Sequence, residues 1–139
     1  MRIAFFYQPK EPPVIDGIRK PMKPGGYSDS GADIAYCLKS NGVCVVTPVD
    51  EPDVNVDTDW VFPDTVEGIE RAIELGADTL WCNTVLYDSH PMTKFKGCDG
   101  LYIIGHSAHD THMYDDKYHT NQLLIKNGLP AVDARIIKR

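Results

Sequence analysis

The sequence predicts an α/β fold: a small three-layer domain built on a parallel sheet of about four strands, followed by a helix and a strand that open a second domain. Three observations carry this reading. Residues 2–7, 43–49, 79–83 and 101–104 form short apolar runs, too brief for helices and nearly continuous, as in strands covered on both faces. Between them lie segments with helical spacing, and those segments stop at Gly42 and Gly76. Strand, helix and strand in succession are the parts of right-handed βαβ crossovers.

Taken in order, Arg2-Ile3-Ala4-Phe5-Phe6-Tyr7 is the first strand. The connection from Gln8 to Gly26 then holds five prolines and four basic residues without usable periodicity. A strand-to-helix link normally takes roughly 2–6 residues, so this one is expected to be functional or disordered. Gly31, Ile34, Ala35 and Leu38 recur at helical spacing and predict a helix from Ser30 to Ser40, with Ser28 or Ser30 as its N-cap. Val43-Cys44-Val45-Val46-Thr47-Pro48-Val49 is the second strand, ending at a proline. The acidic stretch Asp50 to Asp59 reads as an exposed connector, and Asp59 to Pro63 as a short additional strand.

Asp64 with Glu67 three residues later fits an N-cap and N3 pair for a second helix, whose apolar face is Val66, Ile69 and Ile73. Thr79 to Asn83 is the third strand, and a loop marked by Ser89-His90-Pro91 follows. Leu101 to Ile104 is the fourth, and His106 to Thr111 cross into the last helix. Ala131 to Ile137 alternate weakly and are expected to form a strand outside the first sheet, ending at Lys138-Arg139.

Composition limits the function classes. Apolar content of 42% and charged content of 24% are ordinary for a globular protein. No apolar run approaches a membrane span and no secretory signal is readable at the amino terminus, so the expectation is a cytoplasmic protein that does not use a membrane. Cys37, Cys44, Cys82 and Cys98 are scattered without a paired motif and read as buried free thiols. The net charge of −6 is uneven: residues 1–25 carry five basic and two acidic side chains, residues 26–90 two basic and thirteen acidic. An acidic middle argues against nucleic acid as the partner.

Open α/β sheets bind ligands beyond the carboxyl ends of their strands. If the first and third strands are neighbours, Gln8, the proline-rich loop, Gly25, Gly26, Tyr27, Ser28, Asn83, Thr84 and His90 converge there, making the last seven the candidate substrate-binding residues. Gly25 and Gly26 let backbone amides approach a ligand, and a helix N-terminus beside them favours carboxylate or phosphate. The alternative is a turn with an ordinary cap, and His90 before Pro91 also fits a plain turn residue. His106, His109, His112 and His119, with acidic residues between them, could suit zinc or nickel, but the spacing matches no established set and polar crossing residues are the simpler reading.

The last helical stretch is the most specific. Wound at about 100° per residue, Tyr114 to Lys126 place Tyr114, Tyr118, Leu124 and Ile125 on one arc, opposite Asp116, His119 and Lys126. Gly128 and Pro130 end it. Lys117 falls beside Leu124, inside the arc expected to face a core, where an ammonium needs an anion or a route past Leu124 to water.

A helix opened by Asp116-Lys117 and closed by Gly128-Leu129-Pro130 resembles the opening segment of the ATP-grasp domain in carboxylate–amine ligases, whose familiar members include D-alanine–D-alanine ligases, biotin carboxylases and glutathione synthetases. The resemblance extends to the preceding strands, which are similar to the Rossmann-like domain with which many of these enzymes begin. It implies domains at 1–112 and 113–139, the second truncated, and it places Lys117 on the phosphates of ATP. It also implies that strand-end loops hold a carboxylate or amine substrate, and that ATP and magnesium serve the complete protein through an acyl phosphate. In that family the metal-binding carboxylates and adenine pocket lie beyond this point, so the chain alone is expected to be inactive and a fragment of a longer ligase. Residues 26–33 do not match the glycine pattern of the D-alanine ligases, which leaves the substrate open. A surface left bare by missing domains favours association, with a homodimer the simplest form. The reading from a different class is a non-catalytic module that binds a small anion or a partner chain.

Overall fold

The computed structural model describes the chain except for Ile15, Asp16, Ile18, Lys138, Arg139 and the His112 side chain. Its centre is β1 (Ile3–Tyr7), whose residues alternate between two apolar layers. Ala4 and Phe6 face one way and Ile3 and Phe5 the other, all four essentially without solvent contact. A strand with both faces covered needs a helix on each side, and the chain supplies them as α1 (Ser28–Ser40) and α2 (Val66–Glu74).

Ala32 and Ala35 of α1 close over Ile3, Phe5, Val61 and Trp60. Ile69 and Ala72 of α2 close over Ala4, Phe6, Phe62 and Leu80. Each fully buried large apolar side chain of these layers contributes on the order of 1.5–3 kcal/mol of transfer free energy. The remaining strands are β2 (Phe62–Pro63), β3 (Thr79–Cys82) and β4 (Tyr102–Ile104). The sheet order is β2-β1-β3-β4 and every pairing is parallel, so the predicted three-layer α/β domain is present. The first and third strands are neighbours, as the converging site requires.

Several elements differ from expectation. Residues 43–49 form no strand; only Val45 bridges Ile3, through Ile3 N–H to Cys44 O (2.9 Å) and Val46 N–H to Ile3 O (2.8 Å). The same edge of β1 is taken further along by β2 at Phe6 and Tyr7, so the two segments share it, and Pro48 has no N–H to extend the ladder. Helix α1 begins at Ser28, and its N-cap is Tyr27 in the left-handed region (φ 67°) without a side-chain cap, not Ser28 or Ser30. For α2 the cap is Thr65, whose Oγ1 accepts the Gly68 N–H at 3.2 Å, not Asp64.

Tyr114 to Lys126 is not one helix. Helix α3 (Ala108–Tyr114) is capped by Ser107, and α4 (Lys117–Lys126) by Asp116, whose carboxylate accepts the His119 N–H at 2.8 Å. Asp116 is extended (φ −73°, ψ 106°) because it serves as a cap, so the winding breaks between Tyr114 and Lys117. The boundary expected at residues 112–113 falls inside α3. α4 packs on α3 and buries none of its residues, leaving Tyr118, Leu124, Ile125 and Lys117 exposed. Lys117 is therefore not in a core. Residues 131–137 form no strand; Val132 O instead accepts from the Asn121 side chain. The four cysteines are free, but only Cys82 is partly buried, and Cys37, Cys44 and Cys98, expected to be buried, are exposed.

Candidate functional site

Register fixes which side chains meet at the top of the sheet. Phe62, Phe6 and Cys82 lie in one row across β2, β1 and β3 on the α2 side. Two residues further along each strand path, the same face is reached again, and there the residues are Asp64, Gln8 and Thr84. The Asp64 N–H donates to Tyr7 O at 2.9 Å, so the β2–β1 pairing runs on to this row. The apolar layer thus ends in three polar side chains.

Asp64 is the hub. Its Oδ2 accepts from Thr84 Oγ1 at 2.5 Å and meets His90 Nε2 at 2.9 Å. His90 Nδ1 accepts the Met92 N–H at 3.1 Å, so Nδ1 is unprotonated and Nε2 carries the hydrogen that it donates to Asp64. Asp64 is 7% exposed and His90 1%, and for a carboxylate so withdrawn from water such donors replace the water contacts it has lost. Both ring nitrogens of His90 are in use, which makes it the support of Asp64, not an available base. Asp64 Oδ1 takes no donor among the described residues.

The charge of Asp64 is felt by its neighbours. Burial, reinforced by Asp64, pushes the Cys82 thiol up to about 12. Burial and then Asp64 also raise Tyr87, whose ring stands edge-on to His90 at 5.0 Å between centroids. At neutral pH both groups therefore stay protonated. Gln8 is 4% exposed, and its Nε2 has no acceptor among the described residues. A cavity of about 230 Å³ opens beside this row, lined by Gln8, Pro9, Lys10, Asp64 to Glu67, Tyr87 and Pro91. A second, of about 440 Å³, lies beyond β4 with Leu86, Met92 and Ile103 as its apolar floor and Lys96, His106 and His109 among its polar residues.

The substrate-binding residues expected from sequence divide into two groups. Gly25, Gly26, Tyr27 and Ser28 make the turn into α1, and the Gln8 N–H donates to Gly26 O at 2.9 Å. Asn83 points to the α1 side, where its amide donates to Tyr27 O (2.9 Å) and meets Ser30 Oγ (3.0 Å). Thr84 and His90 lie on the α2 side, one hydrogen bond behind the Asp64 carboxylate. None of these seven lines the smaller cavity. Sequence reasoning placed Gln8 at the strand ends but not as a candidate, and it gave Asp64 to a helix cap. The signal that finds Asp64 is strand parity: it stands two residues after the buried Phe62.

Among the described residues, no three His, Cys, Asp or Glu side chains are grouped as a metal site. His106 and His109 line the larger cavity, His119 lies on α4, and the His112 side chain is outside the described set. No helix among the described residues is long and apolar enough to cross a membrane. Comparison with models of protein families, with curated proteins and with solved structures returned no match.

Proposed function

We propose that this chain is the amino-terminal part of an ATP-dependent ligase that joins a carboxylate to an amine through an acyl phosphate. Its Rossmann-like sheet carries the substrate side, and α4 opens the nucleotide side. The observation that best supports this is the state of α4. It leaves Tyr118, Leu124 and Ile125 exposed on a helix that buries nothing, the condition of an element whose apolar face belongs against a further layer.

Lys117 fits one part of a nucleotide site. It is exposed at the first position of α4 and makes no ion pair among the described residues, so its ammonium is open to a phosphate. Bound ATP would supply the phosphoryl group that activates the carboxylate. For magnesium the described residues offer no grouped carboxylates, and no step is assigned to it within this chain.

Two measurements judge the proposal. The intact mass of the protein from its native source is expected to lie well above the 15.5 kDa of this chain. In that longer form, Lys117→Met should weaken ATP binding by about tenfold or more, the value of one charge-assisted contact. A native mass of 15.5 kDa, or unchanged nucleotide affinity in the variant, overturns it.

A further inference from the structure

Every strand pairing in the sheet is parallel, and all-parallel sheets are ordinarily covered on both faces. At β4 that cover is missing on the α1 side. Register sets Tyr102 beside Thr79 and Ile104 beside Trp81, which packs against the α1 layer, yet Tyr102 is 69% and Ile104 37% exposed. Ile103 alternates to the other face and packs against the α2 layer. β4 is also the last strand of the sheet, with β3 as its only strand neighbour among the described residues. The Tyr102 N–H donates to Asp78 O at 2.9 Å, so by strand alternation Ile103 aims its own N–H and C=O away from β3, into the open edge. Exposed edges usually carry a charge or a proline that deters pairing, and Leu101-Tyr102-Ile103-Ile104-Gly105 has neither.

We propose that this edge is the interface of a symmetric homodimer, in which β4 pairs antiparallel with β4 of a second copy about a two-fold axis through Ile103. A second copy is the occupant because the edge complements itself. Ile103 is the middle residue of the strand and holds its free donor and acceptor together, so the two copies satisfy each other there as a hydrogen-bonded antiparallel pair. The same axis sets Tyr102 opposite Ile104 of the second copy, twice, and closes the bare apolar face with aromatic and β-branched partners. Charge agrees with the antiparallel sense. The approach to β4 carries Lys94, Lys96 and Asp99 and its exit Asp110, and neither Lys96 nor Asp110 makes an ion pair among the described residues. An antiparallel pair brings the net-positive approach of each copy to the acidic exit of the other, whereas a parallel pair would bring like to like. Three residues a side bury less than the roughly 1,200–2,000 Å² of a standard interface, so the dimer is weak, with a dissociation constant on the order of 100 µM. It uses neither the cavity beside Asp64 nor α4, and it stands apart from the ligase reading.

The test is sedimentation velocity of the 139-residue chain from about 10 µM to about 1 mM, a range that brackets this constant. The weight-average mass is expected to rise from 15.5 kDa towards twice that value. Tyr102→Lys changes a side chain that faces solvent in the free chain but occurs twice in each dimer, and it should weaken association about tenfold or more. Adding Ile104→Lys sets like charges opposite each other in both pairs and should leave only monomer. Tyr102→Lys combined with Ile104→Glu sets unlike charges opposite and should restore association to near the parent value. Circular dichroism checks each fold, and should a double variant fail to fold, Tyr102→Lys alone decides. A chain monomeric throughout the range, a dimer indifferent to Tyr102→Lys, or folded double variants that associate equally overturns the assignment. So does a dimer lost through Leu124→Lys on α4 in place of the β4 variants. The measurement contains no nucleotide, so its failure leaves the ligase reading to be judged by ATP binding to the Lys117→Met variant.

Discussion

Replacing Gly26 by alanine tests how the turn before α1 is pressed onto the end of β1. At Gly26 the backbone has φ +57°, and a Cβ there would lie 1.6 Å from Gln8 O and 2.6 Å from Gln8 C, both backbone atoms that cannot rotate aside. Two costs combine. The left-handed conformation costs an alanine about 1–2 kcal/mol. Relieving the overlap also separates the strands of the turn and weakens the bond from Gln8 N–H to Gly26 O, worth about 0.5–1.5 kcal/mol, with a shift of Gln8 in addition. The sum is on the order of 2–4 kcal/mol, which at about 2 kcal/mol per molar urea lowers the denaturation midpoint by roughly 1–2 M. Gly100 is the internal control: it also has positive φ (+75°), but nothing lies within 4 Å of its Cβ position. Gly100→Ala should therefore show the conformational cost alone, roughly 0.5–1 M. Urea unfolding of the two variants and the parent chain, followed by circular dichroism, gives the comparison. Equal midpoint shifts at positions 26 and 100 would refute the close approach of the turn to Gln8.

Two further predictions use the titrating groups. In the native state at pH 8, iodoacetamide should modify the exposed Cys37, Cys44 and Cys98 and spare Cys82, whose thiol is pushed up to about 12; the mass gained should therefore correspond to three thiols, with the fourth reacting after denaturation. The Asp78 carboxylate is held below its ordinary value, chiefly by the Arg2 N–H at 2.7 Å and then by the Thr79 hydroxyl at 2.8 Å. Such a group adds stability that is present above the ordinary aspartate range and is lost as pH falls through the lowered value. Asp78→Asn should accordingly lower the urea midpoint at pH 7, with the difference from the parent shrinking as pH falls below about 4. A difference that stays constant down to pH 3 would contradict it.

Much of the fold was readable because the signals were local. The runs at 2–7 and 79–83, and the spacing of Ile69 within a segment closed by Gly76, specify strands and a helix whatever lies around them. The segment 43–49 was misread because an apolar run states that it will be buried, not which edge it will find. Val45 is buried beside Ile3, but β2 holds the rest of that edge. Asp64 was hidden by a competing local pattern. An aspartate three residues before Glu67 looks like a cap, and Thr65 at the next position is able to take that role; once it does, the alternation from Phe62 sends the carboxylate inward. The break before α4 was concealed in the same way, because Asp115 and Asp116 fit the polar arc of a continuous helix and the cap at Asp116 shows only in its backbone. Of the candidate site, the turn residues and Asn83, Thr84 and His90 were found as neighbours of the strand ends. The cavity-lining pair was not marked as a site, because it depends on register between strands far apart in sequence.

Asn83 and Thr84 are consecutive, yet one ties the turn before α1 and the other holds Asp64, on opposite faces of the sheet. A single residue inserted between Thr79 and Leu80 would carry Asn83 into the place of Thr84, and one removed there would carry Thr84 into the place of Asn83; either change would also turn Leu80 and Trp81 onto the wrong layers. The cavity and the core are thus written in one reading frame. Side chains around Asp64 can be exchanged one at a time, but the site cannot slide along the sheet, and any variation in loop length compatible with the fold must be accommodated outside β3.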